Sequence, residues 1–532
     1  LHNVDKLEKT LSTAKRVEIK LLPDEYWWGG LARHGDQMPF HAQTTYRQSL
    51  HRTFLGNQAT PLLVSSKGRY LWSEEPFTLE FKDGWLFVED ALSPVTVGDG
   101  QANLRGAYLA ACHRFFPPNQ RIPRELGFLA PQYNTWIDMG KYPSQEKVLQ
   151  YAQEILDARM APGVLMIDDF WYKNNGVWEW DLAAFPHPKI MINQLHEWGF
   201  QVVLWVSPWV TADTRQYQRL ASSRFLLFAA DQPSGDESYP SSTIEAPVIQ
   251  RWWNGASAVL DLSNPGAFAW FQGQLNHLAE QYGIDGFKFD GGDPSRYQPT
   301  DLSYTSHAPT DHCEDYGRVG LNYDLSEYRA CWKLGGQHLI QRVRDKAHVW
   351  GQGGLADTLP TSLAHGLMGY PYTCPDMVGG GELGAIPDSI EQELYLRWAQ
   401  SATFFPIIQY SMLPNRVLDE PYLSACMNMV RLREKKGPEI LLLAHHASQT
   451  GEPIMRHMAY VFPDEQMETV CDQYMLGDRY LIAPVLQPGQ TRRVVRFPAG
   501  RWQGDDGVIV EGPCEKEIDT SLSRLPWYIR LS

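Results

Sequence analysis

The sequence has no apolar run near the roughly 20 residues that a membrane span requires. Its first residues, LHNVDKLEKTLSTAK, are polar and carry no apolar core of a secretory leader. Positive charge is scarce: 47 Lys and Arg stand against 62 Asp and Glu, a net charge of −15. Nucleic acid and anionic membrane surfaces are bound through basic patches, so neither is expected as a partner. The seven cysteines are scattered, with no CxxC and no Cys/His spacing suited to zinc, and read mostly as buried thiols. A Cys313–Cys331 loop is the one pairing left open, and the compartment is open with it. No GxGxxG follows an apolar strand, which argues against a dinucleotide cofactor. No internal repeat or low-complexity tract is found.

What the sequence has in quantity is aromatic rings, with 19 Trp and 25 Tyr among 532 residues. Indole faces pack well in cores and also stack on the axial C–H faces of sugar rings. The length exceeds what a single hydrophobic core supports, so two or three domains are expected. Residues 1–122 alternate in short runs separated by turn residues and predict a β-sandwich, with KDG between FTLEF and WLFVED as a hairpin signal. Within them, EYWWGGLARHGDQMPF is read as core or interdomain packing rather than as a loop reaching the site. Residues 123–435 alternate strand and helix, which predicts a (β/α)8 barrel, with a doubly wound open sheet as the alternative. A polar insertion at about 211–257 is too long for an ordinary connection, and its role is open. Residues 436–532 are assigned to one or two C-terminal sheet domains, with β character from about Glu452 after the helical run YLSACMNMVRLREKK.

The chemistry is placed at the stretch YGIDGFKFDGGD, residues 282–293. Ile284, Phe287 and Phe289 give an apolar strand, and Gly291 and Gly292 end it. Asp290 closes the strand with Lys288 two residues earlier on the same face, a cation placed to keep the carboxylate ionised. Such a carboxylate is a candidate nucleophile. Other acids fall at strand ends or similar boundaries: Asp138, the Asp168–Asp169 pair, Asp345 and Asp376. Trp136, Trp171, Trp205, Trp209, Trp252 and Trp253 lie near the same ends. Carboxylates accept from hydroxyls while indoles stack on rings, so the set suits a sugar. Glycoside cleavage needs two carboxyl groups flanking the bond. A Mg²⁺ or Ca²⁺ site is the rival use of so many oxygens, and the aromatic flanks weigh against it. No cofactor is expected, the partner is a glycoside or oligosaccharide, and a homo-oligomer is left open.

The runs YNTWIDMGKYPSQEKVLQYAQEIL, GVLMIDDFW, FPHPKIMINQLHEWGFQVVLWVSPWV, AVLDLSNP and GIDGFKFD, in this order, resemble glycoside hydrolase family 31. GYPYTCPDMVGGG, ELYLRWAQSATFFPIIQYS, GEPIMRHMAYVFP and DQYMLGDRYLIAPVL extend the likeness to about Val485. The resemblance implies an N-terminal β-sandwich, a (β/α)8 barrel, C-terminal β domains and retaining cleavage of α-glycosides without a cofactor. It implies Asp290 as nucleophile and Asp345, five residues before Trp350, as acid/base, with Asp357 in reserve. It also implies Asp376 in the sugar pocket. Two departures bear on the sugar. Lys288 stands where the family's α-glucosidases usually have Trp or a similar residue, and Gln409-Tyr410-Ser411 stands where they have Arg-Asn-His. MIDDFW with KFD looks like the wording of retaining α-galactosidases. The expectation is therefore a retaining exo-α-galactosidase. Asp168, Asp169, Lys288, Asp376 and Trp136 would bind the sugar, and Trp205 and Trp252 would wall the site. α-Glucosidase, α-xylosidase, α-N-acetylgalactosaminidase and a catalytically dead sugar-binding protein are the alternatives. The acid/base is expected to have a raised pKa.

Overall fold

Eight short parallel strands form the centre of the chain: β1 (Gln132–Asn134), β2 (Val164–Ile167), β3 (Gln201–Val206), β4 (Gly286–Phe289), β5 (Ser326–Tyr328), β6 (Ile340–Arg342), β7 (Thr373–Cys374) and β8 (Gln409–Tyr410). They pair in sequence order, and β1 pairs with β8. A parallel bridge from Met377 to Gln409 brings the end of β7 against β8 and all but closes the ring. This is a (β/α)8 barrel rather than an open doubly wound sheet. The computed structural model describes residues 9–11, 16–52, 57–229 and 246–531.

The strands are nearly all buried, as expected where helices cover the outside of a parallel sheet. Helix α1 (Gln145–Asp157) starts where the Ser144 side chain accepts from the Lys147 N–H, and it buries Val148, Tyr151, Ala152 and Ile155. Helix α2 (Pro188–Glu197) packs beside α1, and α3 (Pro265–Tyr282) beside α2. Gly283 ends α3 in the left-handed region and turns the chain into β4.

Residues 16–98 form two antiparallel sheets facing one core around Trp27, Trp28, Phe40, Leu63 and Phe81. The hairpin read from KDG is there: Thr78–Lys82 pairs with Trp85–Glu89, and Asp83 and Gly84 both have positive φ. This core continues without a break into the C-terminal antiparallel sheet through Met458, Tyr460 and Trp502. The β regions thus brace one side of the barrel, joined to it by a parallel pairing of Cys331–Trp332 with Gln58–Ala59. The cysteines are free, and Cys313 and Cys331 are both buried thiols. Among the described residues, no helix is long and apolar enough to cross a membrane.

Two local readings differ. The stretch GFLAPQYNTWID, residues 127–138, reads from sequence as one extended segment, but the structure makes it β1 between short helices at Leu126–Leu129 and Thr135–Met139. The Asn134 side chain caps the second helix by accepting from the Trp136 N–H, which stops the strand early. In the insertion, Thr214 caps a helix over Arg215–Ser222, and Ile249–Trp252 and Gly255–Val259 form a hairpin. The hairpin pairs with Trp209–Thr211, just after β3, so its tip is carried over the barrel mouth. Residues 230–245 of the insertion lie outside the described residues.

Candidate active site

A cavity of about 300 Å³ opens at the carboxyl ends of the strands. Its floor comes from side chains that adjacent strands place in register, since Trp205 pairs with Lys288 and Lys288 with Glu327. Asp168 and Asp169, Asp290, Arg329 and Asp345 lie within three residues of the ends of β2, β4, β5 and β6 and line it. That placement follows from the fold, because side chains beyond the last barrel hydrogen bonds are freed from the packed interior.

Asp290 is 7 % exposed. The Trp205 indole donates to its Oδ2 at 2.9 Å, and Arg329 Nε lies 3.3 Å from its Oδ1. Burial pushes this carboxyl up, but Arg329, Lys288, Arg342 and the indole N–H together hold it well below the usual carboxylate range. The expected reason for its ionisation was Lys288 alone. Instead Lys288 donates to Asp168 Oδ2 at 2.6 Å, and Arg329 is the nearer cation to Asp290. Gly291 and Gly292 have φ of +72° and +71°, and a Cβ on Gly291 would come within 2.2 Å of the Trp209 ring. The turn behind Asp290 therefore needs glycine on both counts.

Asp345 lies in the same cavity, 2.7 Å from Arg342 Nη1 and 4.0 Å from Arg329 Nη1. Arg329 thus spans both carboxylates. The expectation of a raised pKa at Asp345 is not met: burial raises it, but Arg342 and Arg329 outweigh burial and lower it. Arg342 Nη1 also donates to Asp376 Oδ1 at 2.8 Å. Asp376 is fully buried, accepts from the Lys346 N–H, and does not line the cavity; it anchors Arg342 from behind. Burial pushes the Asp376 carboxyl up to about 6. Asp357 lies away from Asp290, lining a neighbouring cavity near Lys346.

Asp169 accepts from Tyr172 at 2.5 Å and from Asn254 at 2.6 Å, and burial pushes it up to about 6. Trp136 lines the cavity and donates to the Gly381 carbonyl at 3.1 Å. Trp252 does not line it; it is buried and stacks on Trp209 at 4.1 Å. Its neighbour Trp253, 38 % exposed, forms the wall with Asn254, both at the tip of the insertion hairpin. Asp138 pairs with Arg416 and takes no part. Among the described residues, no group of three or more His, Cys, Asp or Glu is arranged to hold a metal ion.

Sequence reasoning missed Arg329, Arg342, Glu327 and Asn254, and it placed Trp253 near the site but chose Trp252 for its wall. Arg329 and Arg342 follow or end strands too short to stand out by periodicity. Glu327 is buried between Lys288 and Arg342, and burial pushes it up to about 7 despite both cations. Ser411, where a histidine was looked for and not found, accepts from the Ile137 and Asp138 N–H, and Gln409 of the same run lies under the floor and donates to Gln132 and Glu327.

Fold and pocket define a (β/α)8 protein with paired carboxylates at its strand ends and β domains on either side in sequence. Residues 128–346 match the family model for the glycosyl hydrolases family 31 TIM-barrel domain, and residues 451–531 that for the glycosyl hydrolase family 31 C-terminal domain. The chain belongs to glycoside hydrolase family 31. It is 33 % identical over 418 residues to the myogenesis-regulating glycosidase of Mus musculus, covering 75 % of this chain and 55 % of that protein. It is 26 % identical over 420 residues to alpha-glucosidase 2 of Bacillus thermoamyloliquefaciens, covering 73 % and 51 %. The chain thus spans about half the length of these relatives. Among solved structures, a Flavobacterium johnsoniae GH31 dextranase complexed with glucose superposes with a TM-score of 0.85 at 17 % identity, over 97 % of this chain and 66 % of that one. A GH31 alpha-xylosidase from a soil metagenome, complexed with xylose, gives 0.83 at 20 % identity, over 97 % and 79 %. At these identities the likeness establishes the fold.

Proposed function

We propose that this chain is a retaining exo-α-glycosidase acting by double displacement, and that its sugar is α-linked galactose. The observation that carries the mechanism is Asp290. It is an ionised carboxylate at the end of β4, held between Arg329 and the Trp205 N–H and facing the same cavity as Asp345. An Asp290 oxygen attacks the anomeric carbon as the bond to the leaving oxygen breaks. Asp345, having taken up a proton, delivers it to that oxygen. A sugar ester on Asp290 results. Water then gives its proton to Asp345 while its oxygen attacks the same carbon, and Asp290 leaves with the anomeric configuration retained. Arg342 and Arg329 favour the charged form of Asp345, so its protonation and the first step are favoured by acid.

The galactose reading rests on the Asp168–Lys288 pair beside Asp169. It places fixed acceptors and a donor for hydroxyls, and an axial O4 left without its acceptor costs about 1–3 kcal/mol. It rests also on the absence of a histidine at Gln409-Tyr410-Ser411. A second reading, α-glucoside or α-xyloside, has one observation in its favour: relatives of this chain are named alpha-glucosidase and alpha-xylosidase. Hydrolysis of 4-nitrophenyl α-galactoside, α-glucoside and α-xyloside by this chain and by Asp290→Asn tests both parts. The expected result is cleavage of the galactoside, lost in the variant, with the α-anomer released first by NMR. Preference for glucoside or xyloside would replace the sugar and keep the mechanism; release of the β-anomer would overturn the mechanism.

A further inference from the structure

A second cavity, of about 390 Å³, adjoins the first and shares Asp345 and Glu382 with it. The stretch read from sequence as core or interdomain packing builds one side of it. Trp27 and Trp28 are indeed buried, but Arg33, His34, Asp36 and Gln37 reach this cavity. They are pinned there because Gly35 packs on the Pro360 carbonyl so closely that a Cβ would come within 2.3 Å. The loop after β6 supplies the other side with Arg344 and Lys346, and the first turn of the helix Leu355–Leu367 adds Asp357.

The charges in this cavity are not paired off. Asp345 is held by Arg342, and Asp357 accepts from the Gly353 N–H and lies 3.9 Å from Lys346. Arg33 Nη1 is enclosed and has no hydrogen-bond partner. Arg344 donates to Asn57 through its backbone, and its side chain makes no hydrogen bond or ion pair among the described residues. After burial, the strongest influence on the Arg33 guanidinium is Arg344, another cation, and the two lower its pKa against the opposing pull of Asp357, Asp36 and Glu382. Asp36 is pushed up by burial and by Asp357, which weakens its charge as a counterion. Two neighbouring guanidinium groups facing a cavity without partners are a poor resting arrangement that a bound anion relieves.

We propose that this cavity binds the leaving-group side of the substrate and selects a sugar carrying an anionic substituent, either a carboxylate or a sulfate ester. This rests on Asp345 being the proton donor, since the leaving oxygen must then lie between the two cavities. Arg33 and Arg344 take the anion, and the carboxylates of the cavity accept from the remaining hydroxyls.

The test uses three disaccharides with the sugar that the chain cleaves best as the α-linked end and glucose, glucuronate or glucose 6-sulfate as the other. The expected kcat/KM is about tenfold or more higher for an acidic disaccharide than for the neutral one, as a charge-assisted contact implies. The glucuronate and sulfate arms tell which anion is taken. The advantage should shrink toward one in Arg33→Gln and Arg344→Gln, and in the unaltered chain as NaCl is raised. Two variants and the salt series guard against one substitution that fails to fold. Calorimetric binding of the same disaccharides to Asp290→Asn gives the preference without turnover, so a chain that cleaves nothing overturns the glycosidase reading but still decides this one. Equal or weaker binding of both acidic disaccharides, or a preference that survives both arginine variants, overturns the inference.

Discussion

Lys288 and Asp168, from adjoining parts of the barrel mouth 120 residues apart, meet at 2.6 Å with both side chains about 5 % exposed or less. Breaking a buried pair by removing one partner leaves the other charge unpaired, at a cost of about 3–5 kcal/mol. Lys288→Met should therefore lower thermal stability strongly and abolish sugar binding. Lys288→Met with Asp168→Asn should recover part of the stability and none of the binding. Thermal melts and inhibitor binding on the three variants check this; a stable single variant would mean that Asp168 is screened by something else.

Arg329 lowers the pKa of both Asp290 and Asp345. Both folded values lie below the ordinary carboxylate range, so the acid limb (Asp290 protonation) and the alkaline limb (Asp345 ionisation) of kcat/KM are both displaced toward low pH. Removing the cation raises both. Arg329→Gln should move the whole bell to higher pH, whereas loss of packing alone would lower its height in place.

Asp345→Asn removes the proton donor and leaves the nucleophile. Cleavage of a disaccharide should fall by roughly 10²–10⁴-fold, the usual worth of general acid catalysis. An aryl glycoside whose phenol leaves without help should form the ester at a much less reduced rate, seen as a burst. Equal losses on both substrates would move the acid role elsewhere, and Glu382, at the rim of both cavities, would be the next residue to change.

Glu327 has a folded pKa raised to about 7 by burial, against an ordinary value of 4.5. Between those two values the folded chain binds more protons than the unfolded one, so this group's contribution to stability is full in acid and is lost as pH rises through about 7. Glu327→Gln cannot titrate. The melting temperature of the variant minus that of the unaltered chain should become more positive from pH 4 to pH 8. A difference that stays flat with pH would show that Glu327 is ionised throughout.

Much was legible along the chain because it depends on neighbours in sequence. Alternating strand and helix over residues 123–435 gave the barrel, since the 2.0 and 3.6 residue periods are local properties. KFDGG located Asp290 for the same reason: an apolar strand, an acid and two glycines are contiguous. What stayed hidden depends on distance in space. Lys288 was read as the partner of Asp290 by proximity in the strand, yet the barrel turns it to Asp168. Trp252 was chosen over Trp253, although alternate residues of a hairpin point to opposite sides and only the pairing with Trp209–Thr211 fixes which side is the mouth. Arg33 looked like part of an aromatic core segment, and only the packing of its neighbour Gly35 against Pro360 carries it to the second cavity. The sequence by itself determined the barrel, its flanking β domains and the strand-end acids, through local periodicity and turn chemistry. The tertiary structure decided which cation faces which carboxylate, because charges buried together take their partners and pKa values from every strand that closes around them.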